Sequence, residues 1–344
     1  MDPEGQPTAR VEQLWFSPDT IIIRAENKLF QVSQGILAAR STVFRDMIGF
    51  PQPTSDDNEL INGRPVVRLH DSADDVTAFL IAIFDSRHVK SHLKLRVAPD
   101  LNVHLAILCR IPPQSSLLGI LRLANKSDVP HLFRRALEHL TLAGWYTETC
   151  DGVHDCDSQL ITPPNATAAE ALAISAAAAE VGAQWLLPWG YYTAATFAGR
   201  EVLPLMDDER LVQHARKCLD AHVHMVRGTA AVNQFLVAAP PGCLSASACS
   251  DLRRDELSAF FISVKDRKDQ DPIYDSTEVV VRKLRTKGLC DVCCTFAEGR
   301  RKASVAVFWE TLPSVFELPP WEELRAMKVA AMGPNEDTGG NAAA

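Results

Sequence analysis

Between Thr20 and Phe50 the apolar pattern changes period, and that change limits what the chain can fold into. Thr20-Ile-Ile-Ile-Arg24 and Leu29-Phe-Gln-Val32 are short β-prone runs around the polar Ala25-Glu-Asn-Lys28, which predicts a hairpin. The spacing then turns helical. Ile36 to Arg40 reads as a short helical turn. Ser41 stands as N-cap for Thr42 to Ile48, where Phe44, Met47 and Ile48 fall at helical spacing. Pro51 and Pro53 end the element. Phe30, Leu37, Phe44 and Met47 are large apolar side chains on a segment too small to bury them without partners. The segment must therefore belong to a larger α+β body.

The flanking sequence supplies that body. Pro65 to His70 predicts a further strand, and Asp71-Ser72 can cap a helix over Ala73 to Phe84, with Val76, Phe79, Leu80 and Ile83 on one face. Ser115 to Lys126 is helical, and Pro130 suits the first turn of a helix over His131 to Leu142. Between them, about 86–114, periodicity is lost and Arg87, His88, Lys90, His92, Lys94 and Arg96 cluster. This stretch is expected to be a solvated surface insertion.

From 143 to 165 the pattern fades into Gly, Pro and acidic residues, the signature of a linker. Beyond it only helices are expected, making a helical domain over 166–331. They run over Thr167–Ala183, Gln184–Phe197, Asp207–Val237, Asp251–Asp269, Thr277–Lys287, Leu289–Leu312 and Trp321–Ala331. Residues 1–14 are expected to be a flexible lead and 332–344 a disordered tail. The fold class is thus α+β: a small sheet flanked by helices, followed by a mostly α-helical domain.

Composition narrows the function. With 344 residues and 47% hydrophobic content the chain can build two cores. The net charge of -8, from 35 basic and 43 acidic residues, gives no reason to expect direct nucleic-acid binding. No strongly apolar window of membrane-spanning length is free of charge. The nearest, Ala171 to Leu187, carries Glu180, so no membrane partner is expected. Met1 to Arg10 lacks an apolar signal core, and the 9 cysteines read as free thiols in a reducing compartment. An intracellular protein, cytoplasmic or nuclear, is the expectation.

Few residues carry recognisable chemistry. Cys290-Asp-Val-Cys293 is a C-x-x-C, and Cys243 and Cys249 form a wider pair. Four thiolates in two pairs could hold Zn²⁺ tetrahedrally. The spacing of the first pair is wrong for a knuckle, and Leu289 onward reads as a helix, on which a C-x-x-C can still contribute two ligands; buried free thiols are the expectation, with no cofactor. His214, Cys218 and His222 share one helical face and read as a core or partner-facing stripe rather than metal ligands. Cys150 and Cys156 read as part of a solvated acidic loop. No nucleophile elbow, zinc-protease helix, P-loop or dinucleotide fingerprint is present, so an enzyme is not expected.

The order of hairpin, two short helices, strand, helix and helical pair resembles the BTB/POZ domain over residues 15–142, with Leu29 to Met47 similar to its central motif. Asp19 before Ile21-Ile22-Ile23 is similar to the family's Asp before its first apolar strand. Phe308-Trp309 to Phe316, then Pro319-Pro320-Trp321 to Leu324, is similar to the tail of a large fungal branch. The resemblance implies a non-enzymatic scaffold or adaptor that binds a second copy of itself or another protein. The implied surface comprises Asp19, Phe30, Ser33, Gln34, Leu37, Ser41, Phe44, Met47 and Phe50. Alternatives within the resemblance are a transcription or chromatin regulator that recruits partners, or a substrate adaptor of a cullin-type ubiquitin ligase. Ser33 and Gln34 stand where the family carries His and Arg, which removes the cation of its dimer pocket. Gly49 stands where an acid would aid cullin binding.

Overall fold

The computed structural model describes residues 9–15, 19–50, 60–61, 64–84, 114–147, 166–262 and 271–332. Two compact units result, Met1–His139 and Leu140–Ala344.

The first unit is built on a mixed five-stranded sheet. Its strands are β1 (Ala9–Trp15), β2 (Thr20–Ala25), β3 (Lys28–Ser33), β4 (Leu60–Ile61) and β5 (Arg64–Leu69), in the order β1-β3-β2-β5-β4. β2 and β3 form the expected antiparallel hairpin, with Ile21 opposite Val32 and Ile23 opposite Phe30. β5 runs parallel to β2, with Ile22 beside Val66. The hairpin turn places Glu26 at φ 47, and its Oε2 accepts the Ala73 backbone N–H at 3.1 Å. One turn residue thus shapes the hairpin and caps the helix that covers it.

The expected flexible lead is corrected over Ala9–Trp15. These residues pair parallel with β3 as an edge strand, and Leu14 is buried. The polar Arg10, Glu12 and Gln13 hide the strand from pattern reading, because an edge strand needs only one buried anchor.

Helices α1 (Gln34–Arg40) and α2 (Thr42–Gly49) follow the hairpin directly. Ser41 caps α2 as expected, accepting the Phe44 N–H at 3.1 Å. α3 (Ala73–Phe84) packs against α4 (Gln114–Lys126), and α5 (Pro130–Leu140) begins on its proline. The α3–α4 approach is close enough that a Cβ at Gly119 would collide with Asp75. Ile22, Ile23, Phe30, Val32, Leu37, Phe79, Leu80 and Leu121 fill the core between sheet and helices. The surface insertion expected at about 86–114 lies almost entirely outside the described residues.

The second unit is helical. α6 (Ala168–Glu180) opens on a capping box in which Thr167 and Glu170 each satisfy the other's backbone N–H. α7 (Leu187–Ala195), α8 (Val212–Val232), α9 (Ala246–Ile262), α10 (Thr277–Thr286), α11 (Asp291–Val315) and α12 (Trp321–Met332) follow. The long helix expected over Asp207–Val237 is shorter at both ends. It is bounded by single 3-10 turns at Leu203–Asp207 and Gln234–Leu236.

An aromatic cluster centres this unit. Trp309 and Trp321 stack at 5.0 Å, and Trp189 lies 6.0 Å from Trp309 and 5.1 Å from Tyr192. The Trp321 indole N–H donates to the Trp309 carbonyl at 3.1 Å. The aromatic motif of the C-terminal run therefore forms core. The start of the expected 143–165 linker joins this core too. Trp145 is buried, and Trp189 donates to the Gly144 carbonyl at 2.9 Å. The run Leu142-Ala-Gly-Trp-Tyr146 is too short to show a periodicity from which to read that contact.

Candidate functional site

The helical pair α1–α2 divides its side chains by phase. Leu37 of α1, the extended Ser41 between the helices and Phe44 of α2 turn inward, to 3% exposure or less. Ile36 in α1, Val43 in α2 and Phe50, the extended residue after α2, turn outward and are 43%, 46% and 69% exposed. This corrects the expected surface. Phe30, Leu37, Ser41 and Phe44 build the core, whereas Asp19 and Phe50 are exposed and Ser33, Gln34 and Met47 are half-buried. Ile36 and Val43 were absent from the sequence expectation. Each sits one position before a core residue, about 100° away round its helix, so choosing between the two faces needed the position of the core.

Asp19 and Gln34 are joined through the backbone. The Gln34 N–H donates to the Asp19 carbonyl at 3.2 Å, and Asp19 takes a left-handed φ of 55. The pair fixes how the start of β2 meets the start of α1. At the far side, the Ser41 hydroxyl donates to the Ser127 carbonyl, and Thr42 Oγ1 donates to Asp128 Oδ2. α1 is thereby held at its start and at its junction with α2.

A second cluster lies in the helical unit. The sulfurs of Cys243, Cys249, Cys290 and Cys293 all fall within 4.8 Å of one another. Cys243 Sγ is 3.8 Å from Cys290 Sγ and 3.5 Å from Cys293 Sγ. These separations are far above the roughly 2.0 Å of a disulfide. The expected helix from Leu289 is corrected here, because α11 starts at Asp291. Cys290 is its extended N-cap residue (φ -67, ψ 158) and Cys293 lies in its first turn. That offset turns the C-x-x-C into a two-sulfur clamp at a helix N-terminus, where backbone N–H groups favour thiolate. The N–H groups of Cys293 and Leu244 pull the Cys290 thiol down to about 6, while burial pushes the Cys293 thiol up. Arg253, itself buried, donates Nη1 to Cys293 Sγ at 3.3 Å. Cys294 stays outside, with its thiol toward the Leu289 carbonyl.

The His214 stripe does not gather a metal. Tyr191 Oη and His214 Nδ1 are 2.6 Å apart, and Cys218 is buried against the Tyr191 carbonyl. Cys150 and Cys156 lie outside the described residues. A groove of about 450 Å³ between α8 and α11 was not visible in the sequence. Val307 and Phe308 give it an apolar floor, and Arg227 and Arg300 stand among its lining residues, which include no carboxylate.

No described helix is long and apolar enough to cross a membrane. No protein-family model, curated protein or solved structure shows a significant match to the chain.

Proposed function

We propose that the first unit is a BTB/POZ-like interaction module and that the protein is a non-enzymatic scaffold or adaptor. The observation that carries this reading is the outward phase of the α1–α2 pair. Ile36, Val43 and Phe50 stay exposed while the same helices bury Leu37 and Phe44 in a well-formed core. A marginal fold would hide such residues. Exposing large apolar side chains beside these anchored positions costs solubility, and association is the compensating benefit. The order of elements supports the same reading. Hairpin, α1–α2, strand, α3 and the α4–α5 pair follow one another as in the resemblance.

The occupant we favour is a different protein rather than a second copy. A self-pairing surface of this family uses a cation at the position of Gln34, and here that residue offers an amide whose backbone N–H is committed to Asp19. Cross-linking of the purified full chain with its co-purifying proteins tests the reading. Cross-links from a heterologous partner should map to residues 34–50. Cross-links confined to the helical unit would refute it.

A further inference from the structure

We propose that Cys243, Cys249, Cys290 and Cys293 bind one structural Zn²⁺ that fastens α9 to the N-terminus of α11. This site is independent of the interaction face.

The cage has the right size. A tetrahedral Zn²⁺ with Zn–S bonds of about 2.3 Å sets its sulfurs about 3.8 Å apart. The 3.8 Å Cys243–Cys290 and 3.5 Å Cys243–Cys293 separations match that edge, and the 4.8 Å upper limit leaves room for one ion, not a multi-iron cluster. The four sulfurs come from three places in the fold: the loop before α9, α9 itself and the start of α11. Convergence from segments some 40 to 50 residues apart is not a product of helical periodicity.

The way α9 is anchored is a second, separate observation. Along Ala246 to Phe260 the fully buried side chains are Cys249 and Arg253. Amphipathic helices normally dock through a stripe of aliphatic residues. This one turns a thiol and a guanidinium inward, with Leu252 and Leu257 only half-buried beside them. Such a helix has little aliphatic surface with which to dock, and its inward face is set by the thiol and the guanidinium.

Charge gives the third. Binding displaces the thiol protons to solvent, and Zn²⁺ with four thiolates carries two net negative charges. A buried anion of that kind requires compensation. Arg253 supplies it as an outer-shell donor on Cys293 Sγ, and the Cys290 N–H does so on Cys249 Sγ at 3.4 Å.

The test is metal analysis of the full chain expressed with supplementary zinc and purified without chelator. We expect about one Zn²⁺ per chain in the wild type and in Cys294→Ser, whose sulfur lies outside the cage, and loss of the ion in the Cys290→Ser/Cys293→Ser double variant. Should that variant fail to fold, Co²⁺ added to chelator-stripped wild type decides, by giving the visible bands of a tetrahedral sulfur site. Chelation should also speed hydrogen exchange in Ala246–Ile262 and leave β2 and β3 unchanged. Wild type with less than about a tenth of an equivalent of Zn²⁺ and no Co²⁺ bands would overturn the proposal. So would a disulfide among the four in anaerobically purified protein.

Discussion

The Ser41 hydroxyl lies 2.5 Å from the Ser127 carbonyl, joining residues 86 positions apart in the chain. The same oxygen accepts the Phe44 N–H and so starts α2. One buried side chain thus sets a helix boundary and pins the exposed face to the turn between α4 and α5.

Ser41→Ala should therefore cost more than an ordinary cap. It strands the Phe44 N–H and the Ser127 carbonyl in a buried site, a loss of about 1–3 kcal/mol. Hydrogen exchange over Thr42–Gly49 would rise accordingly. Unchanged protection there would mean the hydroxyl carries neither role.

Gly228 sits within α8, where alanine would normally be preferred by about 1 kcal/mol. A Cβ at this position would run into the Phe308 ring and press on Pro272. Gly228→Ala is therefore expected to destabilise the helical unit by about 1–3 kcal/mol, against helix propensity. Denaturant unfolding followed by tryptophan fluorescence measures the sign, and a stabilised variant would show that α8 and α11 are less closely packed.

His214 accepts or donates at 2.6 Å to Tyr191, and burial, with the Lys217 charge second, lowers its pKa from 6.5. The folded state therefore binds a proton less readily than the unfolded chain. Stability of the helical unit should be full above pH 6.5, fall as pH drops below it, and level off below the folded-state value. His214→Gln keeps a hydrogen-bonding side chain but cannot titrate. The difference between wild type and variant should follow that profile, and a flat difference would contradict it.

Much of this was legible in the residues. The isoleucines facing Leu29 to Val32, the Ser41 cap, Ser72 before α3 and Pro130 at the start of α5 each carry a local signal that tertiary packing did not override. What the sequence hid was long-range. Edge strand β1 has a single buried leucine, and the segment carrying Trp145 is held by the Trp189 indole N–H donating to the Gly144 carbonyl. The cysteines were visible as two pairs, yet their convergence depends on where α11 begins. A shift of that start from Leu289 to Asp291 turns a helical C-x-x-C into a clamp. Of the residues expected to form an interaction surface, Phe30, Leu37, Ser41 and Phe44 are core, while the exposed apolar side chains of the same segment are Ile36, Val43 and Phe50. Phase within a helix cannot be decided until the position of its core is known.

On the proposed function, Val43 and Phe50 are exposed because a partner protein covers them. Quantitative affinity purification of wild type against Val43→Asp/Phe50→Asp tests this most directly. Both side chains already face solvent, so the double variant should unfold within about 0.5 kcal/mol of wild type. The account predicts that it nevertheless loses the proteins that wild type retains. An equally stable variant that captures the same proteins in the same amounts would contradict it.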